Sequence, residues 1–464
     1  MESARIEKII QQQKEYFDQH KTKSYHNRIE TLKKLGEVIV DYESQLVKAM
    51  QADMAKPEIE AAGGEIWFVL DEIRHAIRHL KRWMKPSKKR TPLLHFRSSS
   101  VIYSEPFGQV LIIAPWNYPF HLLFSPLVGA LAAGNTVILK PSELAPNTAE
   151  VVEEMINSHF DAGQLRVVNG GVETAQSLLS FRFDSIFFTG STRVGKLVMK
   201  AAAEHLTPVT LELGGKSPAI VEESANLEIA ARRIVWGKFF NAGQTCIASD
   251  YVLVQKSVHK QFIEKVTERI RQQFGDDPKK SSDYARIIND SHFKRLAGLI
   301  DPAKVVHGGE VDAQTRYIAP TILDQVTIDD AVMEEEIFGP ILPILTFEHM
   351  DEVMMIIQQH PNPLALYLFT ENKELEEKVI REVPFGGGCI NDTFSQVFNS
   401  EIPFGGRGNS GMGAYHGKYS FDTFSHRKSI IHRKIWPDLP VRYPPYEIKH
   451  SLMRKLFKIG SWLT

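Results

Sequence analysis

The chain has 464 residues, 43% of them hydrophobic and 24% charged, with 55 Lys and Arg against 56 Asp and Glu and a formal net charge of -1 at pH 7. That length calls for two or three domains with ample core, and the charge balance argues against a nucleic-acid binder, whose affinity comes from neutralising phosphates. Two cysteines, Cys246 and Cys389, cannot build a disulfide framework; no Cys/His cluster has structural-zinc spacing, so no metal is expected.

The N-terminus, "MESARIEKIIQQQKEYF", is charged and amphipathic without a continuous apolar core. It does not read as a secretory signal, and a cytoplasmic location is expected. Residues 1 to about 84 read as helices, because "NRIETLKKLGEVIVDYESQLVKAM" and "GGEIWFVLDEIRHAIRHLKRWM" carry apolar residues at 3.6-residue spacing. His75 and His79 sit at i, i+4 in "RHAIRHL", but Ala76 stands where a zinc protease needs its glutamate. Basic residues surround the pair, which reads as a solvated helix face. "KPSKKRTPLLHF" is basic and broken by proline, more like an extended arm than an element.

From Pro106 to Leu139 there is no Asp, Glu, Lys or Arg, a run longer than the roughly 20 residues of a spanning helix. Pro106, Pro115, Pro119 and Pro126 break it, and Asn117 sits in the turn "PWNYP". The better parse is strand "QVLIIA", that turn, helix "FHLLFSPLVGALAAG" and strand "TVILK". Apolar runs without alternation suit parallel strands buried on both faces. "LRVVNG", "SIFFTG" and "TPVTLELGG" continue the strand–helix alternation to about residue 211, which predicts a doubly wound parallel sheet. A second alternating region spans about 213 to 420, with strands in "SPAIV", "DYVLV", "LALYLFT" and "GGCIND". The cleft between the two α/β units is the expected ligand site. The final forty residues hold nine Lys and Arg against Asp438 and Glu447, and Leu452, Leu456 and Ile459 share one helical stripe.

Five motifs could carry chemistry. "FFTGSTRVGK" runs from a strand through a glycine turn (Gly190, Ser191) into a helix begun by Val194 and Gly195, and such a turn offers N–H groups to phosphate; a plain strand-to-helix connection is the alternative. In "KPSELAPNTAE", Lys140 and Glu143 follow a strand, where a dinucleotide fold grips ribose hydroxyls. Pro141 could equally start a helix, with Glu143 a first-turn dipole partner. "LELGGKSP" is not a phosphate loop, because Thr210 stands where that motif needs glycine. It leaves Glu212 as a lone carboxylate among leucines, beside Gly214, where a raised pKa would suit a base. Cys246 in "NAGQTCIA" is either a nucleophile or a small core residue, and Asn117 either an oxyanion amide or a turn residue.

In order along the chain, "PWNYP", "KPSE", "FFTGSTRVG", "LELGGKSP", "NAGQTC", "EEIFGP" and "PFGG…SGMG" resemble the NAD(P)-dependent aldehyde dehydrogenase superfamily over essentially the whole sequence. "YHG" at 415 to 417 and "SFDTFSHRKS" at 420 to 429 look like its class 3 branch, which includes fatty-aldehyde enzymes. The resemblance implies an α/β fold with a Rossmann-type cofactor domain (1–85 and 108–212) and an α/β catalytic domain (213–419). A small oligomerisation arm (86–107 and 420–448) and a basic amphipathic tail (449–464) would complete it. It makes Cys246 the nucleophile, Asn117 the oxyanion amide and Glu212 the base. Gly190 and Ser191, with Val194, Gly195 and Gly214 nearby, would meet the pyrophosphate side of the cofactor, Lys140 and Glu143 the adenosine ribose, and Glu336 and Phe338 the nicotinamide ribose and ring.

The implied reaction oxidises an aldehyde to the carboxylic acid through a cysteine thiohemiacetal and thioester, released by Glu-activated water. Glu143 would repel a 2′-phosphate and Lys140 welcome it, so NAD is the expected cofactor with NADP also accepted. Tyr118 and His416, with Trp116, Phe394 and Phe398, suggest an apolar tunnel for a medium- to long-chain or aromatic aldehyde; their alternative is core packing. A CoA-acylating enzyme is the rival activity, disfavoured by Glu212, and a non-catalytic protein on the same fold is disfavoured by the intact Cys246, Glu212 and Asn117. The resemblance also implies a homodimer. The tail is expected either to pack on the protein or to touch an anionic membrane as a basic amphipathic helix.

Overall fold

A computed structural model of the chain describes residues 2–92, 95–436, 438, 443–446, 450–451 and 454–455. The N-terminal region is helical as its periodicity predicts. Helix Tyr25–Met54 starts where the Ser24 side chain accepts the Asn27 N–H at 3.1 Å, and it stops at Ala55 in the left-handed region (φ 49°). Helix Glu58–Ala61 then passes through one π-helical turn, Ala62–Ile66, into helix Trp67–Trp83. The turn takes up the two glycines that the sequence pattern assigns to the second helix. His75 and His79 do not sit on a solvated face. Both rings are half-buried, and Trp83 packs against them with centroids 5.6 and 6.0 Å away.

The uncharged stretch folds as strand, turn, helix and strand. Strands Gln109–Ile113 and Thr136–Lys140 are buried throughout and pair in parallel, and every residue of the intervening helix His121–Ala133 is buried. Among the described residues no helix is long and apolar enough to cross a membrane. The six-stranded sheet has the order Gly411–Met412, Val209–Glu212, Ser185–Thr189, Gln109–Ile113, Thr136–Lys140, Leu165–Val167, all parallel except the first. From Gln109–Ile113 the chain builds outward to one side and then returns to build the other. That reversal opens a crevice at the strand C-termini, where the segments after Ile113 and Thr189 diverge.

The second region forms a seven-stranded sheet: Val305–His307, Thr321–Leu323, Ile341–Phe347, Tyr251–Gln255, Pro218–Val221, Ala365–Phe369, Gly387–Ile390. Only its first pair is antiparallel. Ser87–Lys89, Ser98–Pro106 and Ser425–Arg433 make a separate three-stranded antiparallel sheet, in which Ser425 to Arg433 pair one-to-one with Pro106 back to Ser98. The tail stripe of Leu452, Leu456 and Ile459 lies outside the described residues.

Candidate active site

Cys246 is displayed by an unusual turn. Helix Leu227–Phe239 gives way to Phe240–Gly243, in which Asn241, Ala242 and Gly243 all have positive φ (53°, 51° and 72°). A side chain at Gly243 would place its Cβ 2.3 Å from the Gly339 carbonyl oxygen, so only glycine fits there. The strain is held by hydrogen bonds on every side. The Asn241 N–H donates to Glu60 Oε2 at 2.9 Å, and its side-chain amide donates to the Asn117 and Gln244 carbonyls at 3.0 and 3.2 Å. Gln244 donates to the carbonyls of Asn241 and Arg286, both at 3.0 Å, and accepts the Ile288 N–H at 3.0 Å. The Thr245 hydroxyl lies 2.8 Å from the Tyr118 hydroxyl. The sulfur that follows is free and half-buried. Burial first, then the nearby Glu336 and Glu212, push its pKa up, and the N–H groups of Cys246 and Ile247 pull the other way.

Glu212 ends strand Val209–Glu212 and is buried, with no hydrogen-bond partner for either side-chain oxygen. Burial alone raises its pKa well above the usual carboxylate value. Its backbone carbonyl accepts the Gly190 N–H at 3.0 Å, which ties it to the glycine turn. Asn117 is buried as well. Its Nδ2 donates once, to the Gln244 carbonyl at 3.0 Å, and Oδ1 is unpaired. An amide NH₂ carries two donors, so one N–H remains unspent. The turn around Asn117 is pinned from the helical region: Lys56 donates to the Asn117 carbonyl at 2.9 Å and forms a buried ion pair with Glu65. The other oxygen of Glu65 accepts the Phe120 and His121 N–H groups at 2.9 and 3.2 Å.

A second group of residues surrounds the crevice. Gly190 and Ser191 lead from strand Ser185–Thr189 into helix Thr192–Ala203, whose first turn carries no acidic residue. Ser191 caps it, accepting the Val194 N–H at 3.4 Å, and both Gly190 and Ser191 reach solvent. A Cβ at Gly190 would lie 2.5 Å from the Phe188 ring, and one at Gly195 would lie 2.7 Å from Leu213 Cδ2. Lys140 is buried and donates to the partly exposed Glu143 at 2.8 Å. Glu336 rests against Gly214, where a Cβ would lie 1.9 Å from its Oε2. Burial and then Asp250 raise the Glu336 pKa to about 8, against the Gly215 N–H, Lys216 and Arg295.

The segment bearing Glu336 is held by a pair that the sequence reading left out. Lys216 is not a phosphate-loop lysine; it is buried, donating to Asp250 at 2.6 Å and to the Val332 and Glu335 carbonyls at 3.0 and 2.9 Å. Asp250 also accepts the Ile337 N–H at 3.0 Å. Lys238 lies buried nearby with no hydrogen-bond partner for its Nζ, its pKa lowered by burial to about 8.

The proposed tunnel residues fall into three groups, the second and third joined where Tyr118 meets His121 edge-on with centroids 6.3 Å apart. Trp116 packs edge-on against Phe338, with centroids 5.4 Å apart, and against His292 at 5.1 Å. Tyr118 instead stacks on Phe240, which reaches Phe394. His416 meets Phe68, as do Phe398 and His121. Phe68 and His121 were missed by the sequence reading, though His121 lies just past "PWNYP". His121 and His416 are both buried with Nε2 unpaired, and Nδ1 of His416 lies 3.4 Å from Glu72.

These residues fit a dinucleotide. The cradle at Gly190 has no room for a Cβ, a helix N-terminus opens on solvent beside it, and the crevice lies at the reversal of strand order. The Aldehyde dehydrogenase family model matches residues 1–430. A 4,4'-diaponeurosporen-aldehyde dehydrogenase of Staphylococcus aureus is 50% identical over 455 residues, covering 98% of this chain and 99% of the relative. A canine aldehyde dehydrogenase described as dimeric and NADP-preferring is 46% identical, covering 95% of this chain and 98% of its own. The S. aureus AldH structure in its substrate-bound state superposes with a TM-score of 0.96 at 49% identity, over 97% of this chain and 99% of that one. An indole-3-acetaldehyde dehydrogenase complexed with NAD+ does so at 0.85 and 28% identity, over 93% and 89%. Other relatives carry the name of aldehyde dehydrogenase family 3. The chain therefore belongs to the aldehyde dehydrogenase family, in its class 3 branch, and is an NAD(P)-dependent oxidoreductase acting on aldehydes.

Proposed function

We propose that this chain converts a medium- to long-chain or aromatic aldehyde to its acid by covalent catalysis at Cys246. The observation that carries the reading is a buried carboxylate, Glu212, with both oxygens unpaired, in electrostatic reach of a free cysteine. The thiol loses its proton to solvent before attack, and the N–H groups of Cys246 and Ile247 favour the thiolate that results. The Cys246 sulfur then bonds to the aldehyde carbon. The unspent Asn117 N–H and the Cys246 backbone N–H meet the developing oxyanion. Bound NAD(P) supplies the hydride acceptor that turns the thiohemiacetal into a thioester. Glu212 next activates water, which cleaves the thioester and frees the acid.

Gly190, Ser191, Val194, Gly195 and Gly214 would hold the pyrophosphate side of the cofactor, Lys140 and Glu143 its adenosine ribose, and Glu336 and Phe338 its nicotinamide end. The Lys140–Glu143 pair blunts both the attraction and the repulsion of a 2′-phosphate, in keeping with use of either cofactor. Tyr118, His121, His416 and Phe68 would line the aldehyde path, and the neighbour named for indole-3-acetaldehyde supports its aromatic end. The dimeric relative supports a homodimer, built through the three-stranded sheet. Cys246→Ala should abolish aldehyde-dependent NADH production, and retained activity would refute the assignment. A second base reading rests on Glu336. It is half-buried with a pKa of about 8, and it weighs on Cys246 more than Glu212 does.

A further inference from the structure

Three side chains with no part in the reaction converge beside the aldehyde path. His75 and His79 lie one turn apart on helix Trp67–Trp83, and Glu401 arrives from the segment after strand Gly387–Ile390. One ligand atom from each lies within 4.8 Å of the others. His75 Nε2 is 3.8 Å from Glu401 Oε1, and the two imidazole centroids are 4.3 Å apart. The outer nitrogens are already engaged: His75 Nδ1 lies 3.3 Å from the Ser400 hydroxyl, and His79 Nδ1 lies 3.0 Å from the His75 carbonyl. That leaves Nε2 of each ring as the available ligand atom. Metal-binding histidines are held in this way, one nitrogen fixed by an outer partner and the other presented to the ion. Trp83 packs on both rings and limits their rotation.

We propose that His75, His79 and Glu401 form a binding site for a divalent transition metal of the zinc class, with two imidazoles and one carboxylate. Two imidazoles select zinc, nickel, copper or cobalt over magnesium and calcium, which take oxygen ligands. Bonds of about 2.0–2.2 Å in a tetrahedral site put ligand atoms roughly 3.3 Å apart. The carboxylate of Glu401 is 68% exposed and can rotate to close the difference. Water would take the fourth position. Ala76 excludes the glutamate that a zinc hydrolase places beside its first histidine, so the ion would tie two segments together rather than catalyse. Those segments flank the aldehyde path. Phe398, three residues before Glu401, packs on Phe68 of the same helix with centroids 6.0 Å apart, so a bound ion restrains the mouth.

The test uses the full chain, stripped with chelator and titrated with Co2+, followed by visible absorption and calorimetry. The expected result is one ion per chain with ligand-field bands and no thiolate charge-transfer band, which separates this site from the two cysteines. The double variant His75→Gln/His79→Gln should weaken binding about 100-fold and Glu401→Gln about 10-fold. Glu401 lies exposed on a loop, so its variant reads the site even where the double variant folds poorly. No saturable binding, a thiolate band, or binding in Glu401→Gln equal to wild type would overturn the proposal.

Discussion

Replacing Lys216 with Met probes what holds the segment that carries Glu336. Methionine keeps much of the side-chain length but removes the ammonium bridging Asp250 and the carbonyls of Val332 and Glu335. Asp250 would remain buried, hydrogen-bonded by the Ile337 N–H, with Lys238 and Arg295 as nearby cations that make no ion pair with it. Breaking a buried ion pair by removing one partner costs about 3–5 kcal/mol, because the other charge is left without compensation. Glu335 is exposed, so its carbonyl can take water and adds little. Removing both charges in Lys216→Met/Asp250→Leu should recover more than half of that loss, since apolar replacement of a buried pair is often neutral. Urea midpoints of wild type, both single variants and the double variant give the coupling. NAD(P) titrations should show a raised KM in Lys216→Met, because residues 332 to 337 lose their anchor. A loss below about 1 kcal/mol in the single variant, or a double variant no more stable than Lys216→Met, would refute the reasoning.

Glu212→Gln should give a burst of NADH of about one equivalent and then turnover slowed roughly 10²–10⁴-fold, read by stopped-flow absorbance; turnover at neutral pH equal to wild type would move the base role to Glu336. Burial, opposed by the Asn241 N–H and Lys56, raises the Glu60 pKa to about 8. The native state therefore keeps a proton that the unfolded chain releases near the ordinary carboxyl value of 4.5. Stability falls as pH rises through that window, by up to about 1.4 kcal/mol per unit, and levels off above about 8. Glu60→Gln should lessen the slope of urea midpoints between pH 5 and 8 by this share, while Glu336 and Glu212 keep theirs, and parallel curves for the two proteins would contradict it. A chain ending at Tyr446 should lose binding to anionic liposomes and its preference for long aldehydes if the tail lies on membrane; with both unchanged, the tail serves only packing.

The sheet-forming segments were legible where burial on both faces leaves an unbroken apolar run. "TVILK" is strand Thr136–Lys140 residue for residue. Strand Ile341–Phe347 was not legible, because Pro343 lies inside it and proline argues against an interior strand. Parallel neighbours on both sides hold it in the sheet all the same. Cys246, Glu212 and Asn117 could be proposed from the sequence because each sits in a compact motif, and the structure brings the three together. Their supports could not be proposed in that way. Lys56 with Glu65, and Lys216 with Asp250, are buried pairs whose members look like surface charges in sequence, and tertiary folding alone brings the partners together. His121 and His416, each with Nε2 unpaired, come together in the same way from positions far apart in the sequence.

The left-handed run at Asn241, Ala242 and Gly243 has a bearing on engineering. The sulfur is aimed by backbone geometry and by a cage of hydrogen bonds from Glu60, Asn241, Gln244 and Tyr118. The walls of the proposed aldehyde path and the position of the proposed nucleophile are thus largely separable parts. Phe68, Phe394 and Phe398 can be recut for other substrates, whereas a library that varies Tyr118 or residues 240 to 244 would spend most of its members on chains that misplace Cys246.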